Sequence, residues 1–316
     1  MLSAGRAPGD SDGQAGSSRA VAGVGLDIGG TKIAAALVDA TGEAVAFETV
    51  ATKIDAKAGA VLAATDRLVQ RLSASAADRG LAVAGIGVAV PELVDLDARV
   101  ASGDVIPGLA DADLTACWGS IGPVTIESDV RAAAVAEARL GAGRAGSSFA
   151  YISVGTGISY CLVIDGTPWT GSHGGAILLG SSTIAEHEGS PWILEKIASG
   201  TALLERYREL GGELPTVADV VQTAPGDDAA QTAIGEAARA LGMGIALVIN
   251  MLDPGLVVVG GGFGSAPGPF WELAQRAARE FVYWDRARDT RIVQAELGAR
   301  AGAIGAGLIG LAANGG

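Results

Sequence analysis

Leu26-Asp-Ile-Gly-Gly-Thr-Lys32 and Ile152-Ser-Val-Gly-Thr-Gly-Ile158 are near-copies of one another, and each sits in the same order of elements. Val24 to Ile28 reads as an apolar strand running into a glycine turn. Lys32 to Val38 reads as a second strand, and Thr41-Gly42 returns the chain to a third, Ala44 to Thr49. The later copy gives a strand over Phe149 to Val154, a tight Gly155-Thr156-Gly157 turn, and a returning strand Ser159 to Ile164 closed by Asp165-Gly166. Between the copies, Val61, Leu62, Leu68, Val69 and Leu72 recur at helical spacing and predict a helix over Ala60 to Arg79. A buried strand, Leu81 to Val90, follows and ends at Pro91. A short strand, Val124 to Glu127, then leads into an alanine-rich helix from about Val130 to Leu140. A duplication of this size is not a solenoid repeat. It predicts two related α/β lobes facing one another across a cleft, each offering a glycine hairpin.

Such hairpins carry recognisable chemistry. Gly29-Gly30-Thr31-Lys32 brings bare backbone N–H groups, a hydroxyl and a cation to one point, which is what phosphate oxygens require, and glycine permits the close approach. Gly155-Thr156-Gly157 repeats the logic. Either turn alone reads equally as an ordinary hairpin; two matched turns, one per lobe, favour a phosphate site. Neither is a Walker A loop or a dinucleotide-binding fingerprint. Asp27 would repel phosphates unless a cation lay between them, so it is a candidate Mg²⁺ holder through water, or else a turn-stabilising carboxylate. A third glycine group, Gly260, Gly261 and Gly262, opens the C-terminal end of a buried strand, where flat ligands collect in open α/β sheets. Asp129, between a strand and a helix at the seam of the lobes, is the candidate acid–base group for phosphoryl transfer to an alcohol; a helix N-cap is the competing account.

Composition bounds the remainder. The chain has 316 residues and a formal charge of −13, which argues against nucleic acid or an anionic membrane as its main partner. That length favours two domains over one core. Two cysteines, Cys117 and Cys161, cannot form a disulfide scaffold, so a cytoplasmic setting is expected. The first 22 residues, rich in Gly, Ser, Ala and Asp, read as a disordered leader rather than a signal peptide. The longest apolar stretch, Ile245 to Val259, is interrupted by Asn250 and Asp253-Pro254 and is too short to span a bilayer.

Five runs, in order, carry a resemblance: Leu26 to Ile33, Glu127-Ser128-Asp129 with its helix, Ser153 to Gly157, Asn250 to Gly262, and Ala301 to Leu308. Together they resemble the ROK family of bacterial sugar kinases and sugar-responsive repressors. The resemblance implies a duplicated actin-like ATPase (RNase H-like) α/β fold. Its expected parts are an N-terminal lobe over residues 23–127, a C-terminal lobe over 128–296, and a terminal helix, 297–316, packing back on the first lobe. It implies ATP and Mg²⁺, Asp129 as catalytic aspartate, the two Gly-Thr turns as phosphate motifs and Gly260 to Gly262 on the adenosine side. It also implies a homodimer and a sugar-like acceptor met by Asp129 and Glu195, with Ser128, Asp104 and Leu178 at the family's sugar-side positions; His187 is a further candidate contact, or else a solvated surface histidine. Too few residues precede the first motif for the repressors' helix-turn-helix, so the kinase branch is expected.

The departures from the family's pattern are informative. Its sugar-binding Glu falls on Leu178, its zinc-binding His on Ser181, and its three zinc cysteines on Glu186, Glu188 and Ile193, so no zinc site is expected. The Asn before the catalytic Asp is Ser128, and the sugar loop reads Ser102-Gly-Asp104-Val-Ile-Pro-Gly108. A sugar hydroxyl buried against Leu178 without a partner would cost about 1–3 kcal/mol. The sequence therefore predicts an acceptor other than plain glucose: a deoxy, amino or keto sugar, or a C7-cyclitol with a glucose-like hydroxymethyl arm. His173 and His187 are the only histidines.

Overall fold

The structure, a computed structural model, describes residues 20–52, 57–187 and 189–313, with the side chain of residue 187 excepted. The expected leader lies almost wholly outside the described residues.

The first sheet is built from β1 (Val21–Ile28), β2 (Lys32–Asp39), β3 (Ala44–Ala51), β4 (Ala82–Val90) and β5 (Val124–Ser128), in the order β3-β2-β1-β4-β5. β1, β4 and β5 run parallel, while β2 and β3 are added as an antiparallel meander. The crossover from β3 to β4 is α1 (Ala58–Asp78), and the short α2 (Leu114–Trp118) precedes β5. Val61, Leu68, Val69 and Leu72 of α1 bury against Leu26, Ile28, Leu37 and Ile86, as helical spacing predicts.

The second sheet repeats this plan. β6 (Ser148–Val154), β7 (Ile158–Ile164) and β8 (Thr167–Pro168) form the meander, and a separate hairpin of β9 (Thr183–His187) and β10 (Ser190–Ile193) follows. With β11 (Leu256–Gly260) and β12 (Arg291–Gln294), the order is β12-β11-β6-β7-β8, and β6, β11 and β12 are parallel. The duplication read from the two Gly-Thr turns is therefore a duplication of whole sheets, with the third strand shrunk to two residues in the second copy.

Each sheet is followed by a helix that crosses to the other. α3 (Asp129–Leu140) leaves β5 and packs on β6 and β7, whereas α9 (Ala301–Ala312) leaves β12 and lies across β1, β2 and β4. The second contact is backbone to backbone. A Cβ on Gly25 would strike the Ala303 carbonyl and the Gly307 amide, and one on Gly87 would strike the Ala306 carbonyl. Glycine is required there by proximity. Between the two sheets, Ala34, Ala36 and Val38 of β2 meet Val130 and Ala134 of α3, Phe149 and Tyr151 of β6, and Ala303 of α9 in one shared core.

Four helices cover the outer face of the second sheet: α4 (Glu195–Ala198), α5 (Gly200–Glu209), α6 (Val217–Thr223) and α7 (Asp228–Leu252), with α8 (Pro269–Phe281) packed along α7. α7 is apolar and long enough to cross a membrane by length and composition, yet 67% of its most apolar window is buried inside the fold. That burial is what a core helix requires, with Ile234, Leu241, Ile245 and Ile249 turned into the core.

Candidate active site

Both glycine hairpins open on one cleft of about 680 Å³ between the sheets. The first is closed by the Gly29 amide donating to the Lys32 carbonyl (2.9 Å) and is braced by Thr52, whose amide reaches the Thr31 carbonyl (2.9 Å). The second is closed by the Gly155 amide on the Gly157 carbonyl (2.9 Å), and the Gly200 amide at the start of α5 braces it at the Gly155 carbonyl (2.8 Å). The end of β6 is tied to the third glycine group, because the amides of Phe263 and Gly264 both donate to the Val154 carbonyl, at 3.0 and 2.9 Å. Three turns from three parts of the sequence are thus fixed around one space.

Asp27, Thr31, Lys32, Gly155, Thr156, Gly261, Gly262 and Asp129 all line it. Apart from the adjoining residues of the chain, no atom of the described residues lies within 4 Å of where a Cβ would stand on Gly155 or Gly262, so bare backbone faces the opening there. A polyphosphate chain fits such a surface. Gly29, Gly30 and Gly157 shape the turns behind this lining. Gly260 departs from its expected role. It is buried, and a Cβ there would collide with the Tyr151 ring, so its smallness serves core packing rather than a ligand.

Asp129 is the first residue of α3. Ser128 occupies the N-cap position without making a side-chain cap bond, so capping does not account for the aspartate beside it. One Asp129 oxygen accepts from the Val130 amide at 2.6 Å. Burial pushes its carboxyl up to about 7; Asp27 and, less strongly, Glu92 add in the same direction, and the Val130 amide opposes them. Burial likewise pushes Asp27 up to about 6, against the pull of Lys32. Two carboxyls poised this way beside a cleft fit proton transfer and cation binding near neutrality. Among the described residues no group of three or more His, Cys, Asp or Glu stands together to hold a metal ion. A Mg²⁺ at Asp27 would therefore take its other ligands from phosphate and water, as that ion commonly does.

The acceptor-side residues are more scattered. Ser128 is fully buried, and among the described residues its hydroxyl finds no hydrogen-bond partner. The Glu195 carboxylate tucks behind the second hairpin, 3.5 Å from the Ile158 amide. Asp104 is exposed on the 102–106 loop. Leu178, expected to face a buried sugar hydroxyl, is 48% exposed: it sits within the turn 176–181, where its carbonyl accepts from the Ser181 amide. The side chain of His187, and Glu188 entirely, lie outside the described residues. Ser181, Glu186 and Ile193 lie in and just before the β9–β10 hairpin.

The structure adds residues that the sequence reading did not single out. Arg131 is buried at the start of α3; its Nε meets Glu127 at 2.5 Å, and its two terminal nitrogens donate to the carbonyls of Gly174 (2.8 Å) and Val94 (3.0 Å). It thereby ties two loops of the acceptor side to the element bearing Asp129. Tyr151 on β6 lines the cleft floor, and burial, then Glu137 and Asp129, push its phenol upward. Thr201, Leu204, Glu205 and Arg208 of α5 and Thr216 and Val217 at the start of α6 form a further wall of the cleft. An arginine inside an alanine-rich helix was the one visible signal among these.

Comparison with known proteins agrees with this geometry. The sequence matches the ROK family over residues 23–312. The glucokinase of Halalkalibacterium halodurans is 28% identical over 308 residues, covering 90% of this chain and 93% of its own. Among solved structures, the ROK hexokinase from Thermus thermophilus is 30% identical with a TM-score of 0.77, covering 92% of this chain and 98% of that one. The ROK-family glucokinase from Streptomyces griseus in complex with glucose and AMPPNP is 27% identical, also with a TM-score of 0.77, covering 92% and 99%. With its two matched actin-like halves and a family match spanning nearly its whole length, this chain belongs to the ROK family, in the glucokinase-like branch.

Proposed function

We propose that this chain is an ATP-dependent carbohydrate kinase that phosphorylates the primary hydroxyl of a hexose-like ring. The observation that carries the reading is that two equivalent Gly-Thr hairpins and Asp129 line the same cleft. Thr31, Thr156 and the turn amides hold the phosphates, and Lys32 lends a cation beside them. Asp129 orients the acceptor hydroxyl. Its oxygen bonds to the terminal phosphorus as the bridge to the β-phosphate breaks, and the hydroxyl proton passes to the Asp129 carboxylate. Mg²⁺ near Asp27, when bound, neutralises phosphate charge. Gly261 and Gly262 lie on the adenosine side.

The acceptor is proposed to be a modified sugar or a C7-cyclitol rather than plain glucose. In support, Leu178 stands where the family has a sugar-binding Glu, Ser128 where it has an Asn, and the loop near Gly30 presents Val105. Ser181 in place of the zinc-binding His, with the cysteine positions on Glu186, Glu188 and Ile193, supports an enzyme without zinc. The lobes are taken as residues 23–127 and 128–296 with the terminal helix 297–316, working as a homodimer in the cytoplasm. In support of the dimer, Met251 on α7 and Tyr283 beyond α8 are large apolar residues left exposed, and the Asn250 side chain ties the backbone at Phe281 and Tyr283 to α7.

The test is acceptor-dependent ADP release with glucose, N-acetylmannosamine, aminosugars and cyclitols. Turnover on a cyclitol or modified sugar above that on glucose is expected. Preference for glucose would make the chain an ordinary glucokinase. Ligand binding without turnover on any member would make it a sugar sensor.

A further inference from the structure

The residue after β4 and Pro91 is Glu92, a carboxylate only 3% exposed that forms no ion pair among the described residues. A charge so buried is tolerable only when hydrogen bonds replace its water. Four donors do so. One Glu92 oxygen accepts from the Ser102 hydroxyl (2.7 Å) and the Asp104 amide (3.1 Å), and the other from the amides of Val105 (2.9 Å) and Ile106 (2.8 Å). The Ser102 hydroxyl in turn accepts from the Leu93 amide at 3.1 Å. Every one of these partners belongs to the loop 102–106 or to the neighbour of Glu92 itself.

This loop lies between the two halves of the reaction. Its Val105 is 3.7 Å from where a Cβ would stand on Gly30, in the first phosphate hairpin. At its other border, the Glu92 carboxylate is near enough to Asp129 for its charge to be felt there. Asp104 and Val105 are exposed, with only their backbones engaged by Glu92. The loop and the carboxylate that holds it thus stand beside both the phosphate hairpin and Asp129.

We propose that Glu92 is a positioning residue for the acceptor: its buried carboxylate nests the 102–106 loop and fixes where Asp104 and Val105 meet the substrate. The inference rests on the kinase reading above and adds the residue that sets acceptor affinity. A loop gripped by four hydrogen bonds at one carboxylate is pre-organised, so little order has to be imposed when the acceptor binds. Its phosphate-side neighbours, held by Thr52 and the strands, do not depend on Glu92.

Two variants test this. Glu92→Gln replaces one accepting oxygen by an NH₂ that faces N–H donors; Ser102→Ala removes one of the four bonds at Glu92, together with the bond the hydroxyl accepts from Leu93, and is the milder change, deciding the matter alone if the first variant does not fold. The probe is the best acceptor of the sugar and cyclitol panel, with ATP as donor. Glu92→Gln is expected to raise the acceptor KM about tenfold and Ser102→Ala about threefold, the effect of one charge-assisted or one partial hydrogen bond lost. The KM for ATP should stay within about twofold. An unchanged acceptor KM in a folded variant, or acceptor and ATP KM values rising together, would overturn the role of Glu92 and leave the kinase standing. A wild-type chain inert on the entire panel would overturn both.

Discussion

The carboxylate of Glu137, midway along α3, accepts a hydrogen bond at 2.8 Å from the amide of Leu297, 160 residues further on. Its second oxygen takes the amides of Ala142 (2.8 Å) and Glu296 (3.2 Å). Leu297 leads into α9, which occupies in the second half the place that α3 has in the first. A fully buried acid therefore pins together the helix that begins at Asp129 and the one whose Gly302 rests on the Asp27 carboxylate. Replacing Glu137 by Ala removes the one buried carboxylate that three partly buried amides share and leaves a hole in its place. The expected loss is about 3 kcal/mol or more, read from the denaturation midpoint. Wild-type stability in that variant would refute the clamp.

The glycines divide into two kinds with opposite predicted outcomes. Gly87→Ala drives a methyl into the Ala306 carbonyl, and backbone cannot rotate away as a side chain can. It should cost at least about 1–3 kcal/mol and leave much of the protein insoluble. Gly262→Ala meets open space in the cleft. Its melting temperature should match wild type while the KM for ATP rises several-fold. If Gly262→Ala unfolds the protein and Gly87→Ala does not, the assignment of the two surfaces is reversed.

How much of this the sequence could reveal depended on how far apart the interacting groups lie along it. The Gly-Thr turns, with Asp27 two residues before the first of them, carry their chemistry in a few consecutive residues, so the motif is visible without the fold. The doubling of the sheets was legible because each half restarts with the same strand–turn–strand signature. Glu92 and Glu137 were not legible, and of Arg131 only its place in an alanine-rich helix, four residues after Glu127, was. Their decisive partners lie 10 to 14, up to 160 and 37 to 43 residues away, and nothing in local pattern marks a carboxylate that will find backbone amides. Gly260 misled for the complementary reason: three consecutive glycines look alike, yet only the fold sets one of them against Tyr151. The place of Leu178 in a motif points to a pocket residue, but the turn that contains it leaves it half exposed.

Asp129→Asn keeps the size of the side chain and removes its ability to take a proton. A general base contributes about 10²–10⁴-fold, so kcat should fall by that factor. Binding of the AMPPNP analogue, measured by calorimetry, should persist because the phosphate turns are untouched. Unaltered turnover would remove Asp129 from the reaction; lost nucleotide binding would mean that the aspartate holds the donor instead.

The same carboxyl fixes the sign of the pH response. Asp129 moves from an ordinary 3.8 to about 7 in the folded chain, and Asp27 moves to about 6. Between those limits the native state holds protons that the unfolded state has released, so these groups cost stability progressively as pH rises from about 4 to 7. Activity runs the other way, since the base must be ionised: kcat/KM should climb through pH 7 and level above it. An Asn at position 129 abolishes the titration. Its melting temperature should therefore exceed wild type by several degrees at pH 8 and by much less at pH 4. An equal gain at both pH values would mean that the stabilisation comes from packing, and the raised carboxyl would no longer explain the acid limb of the activity.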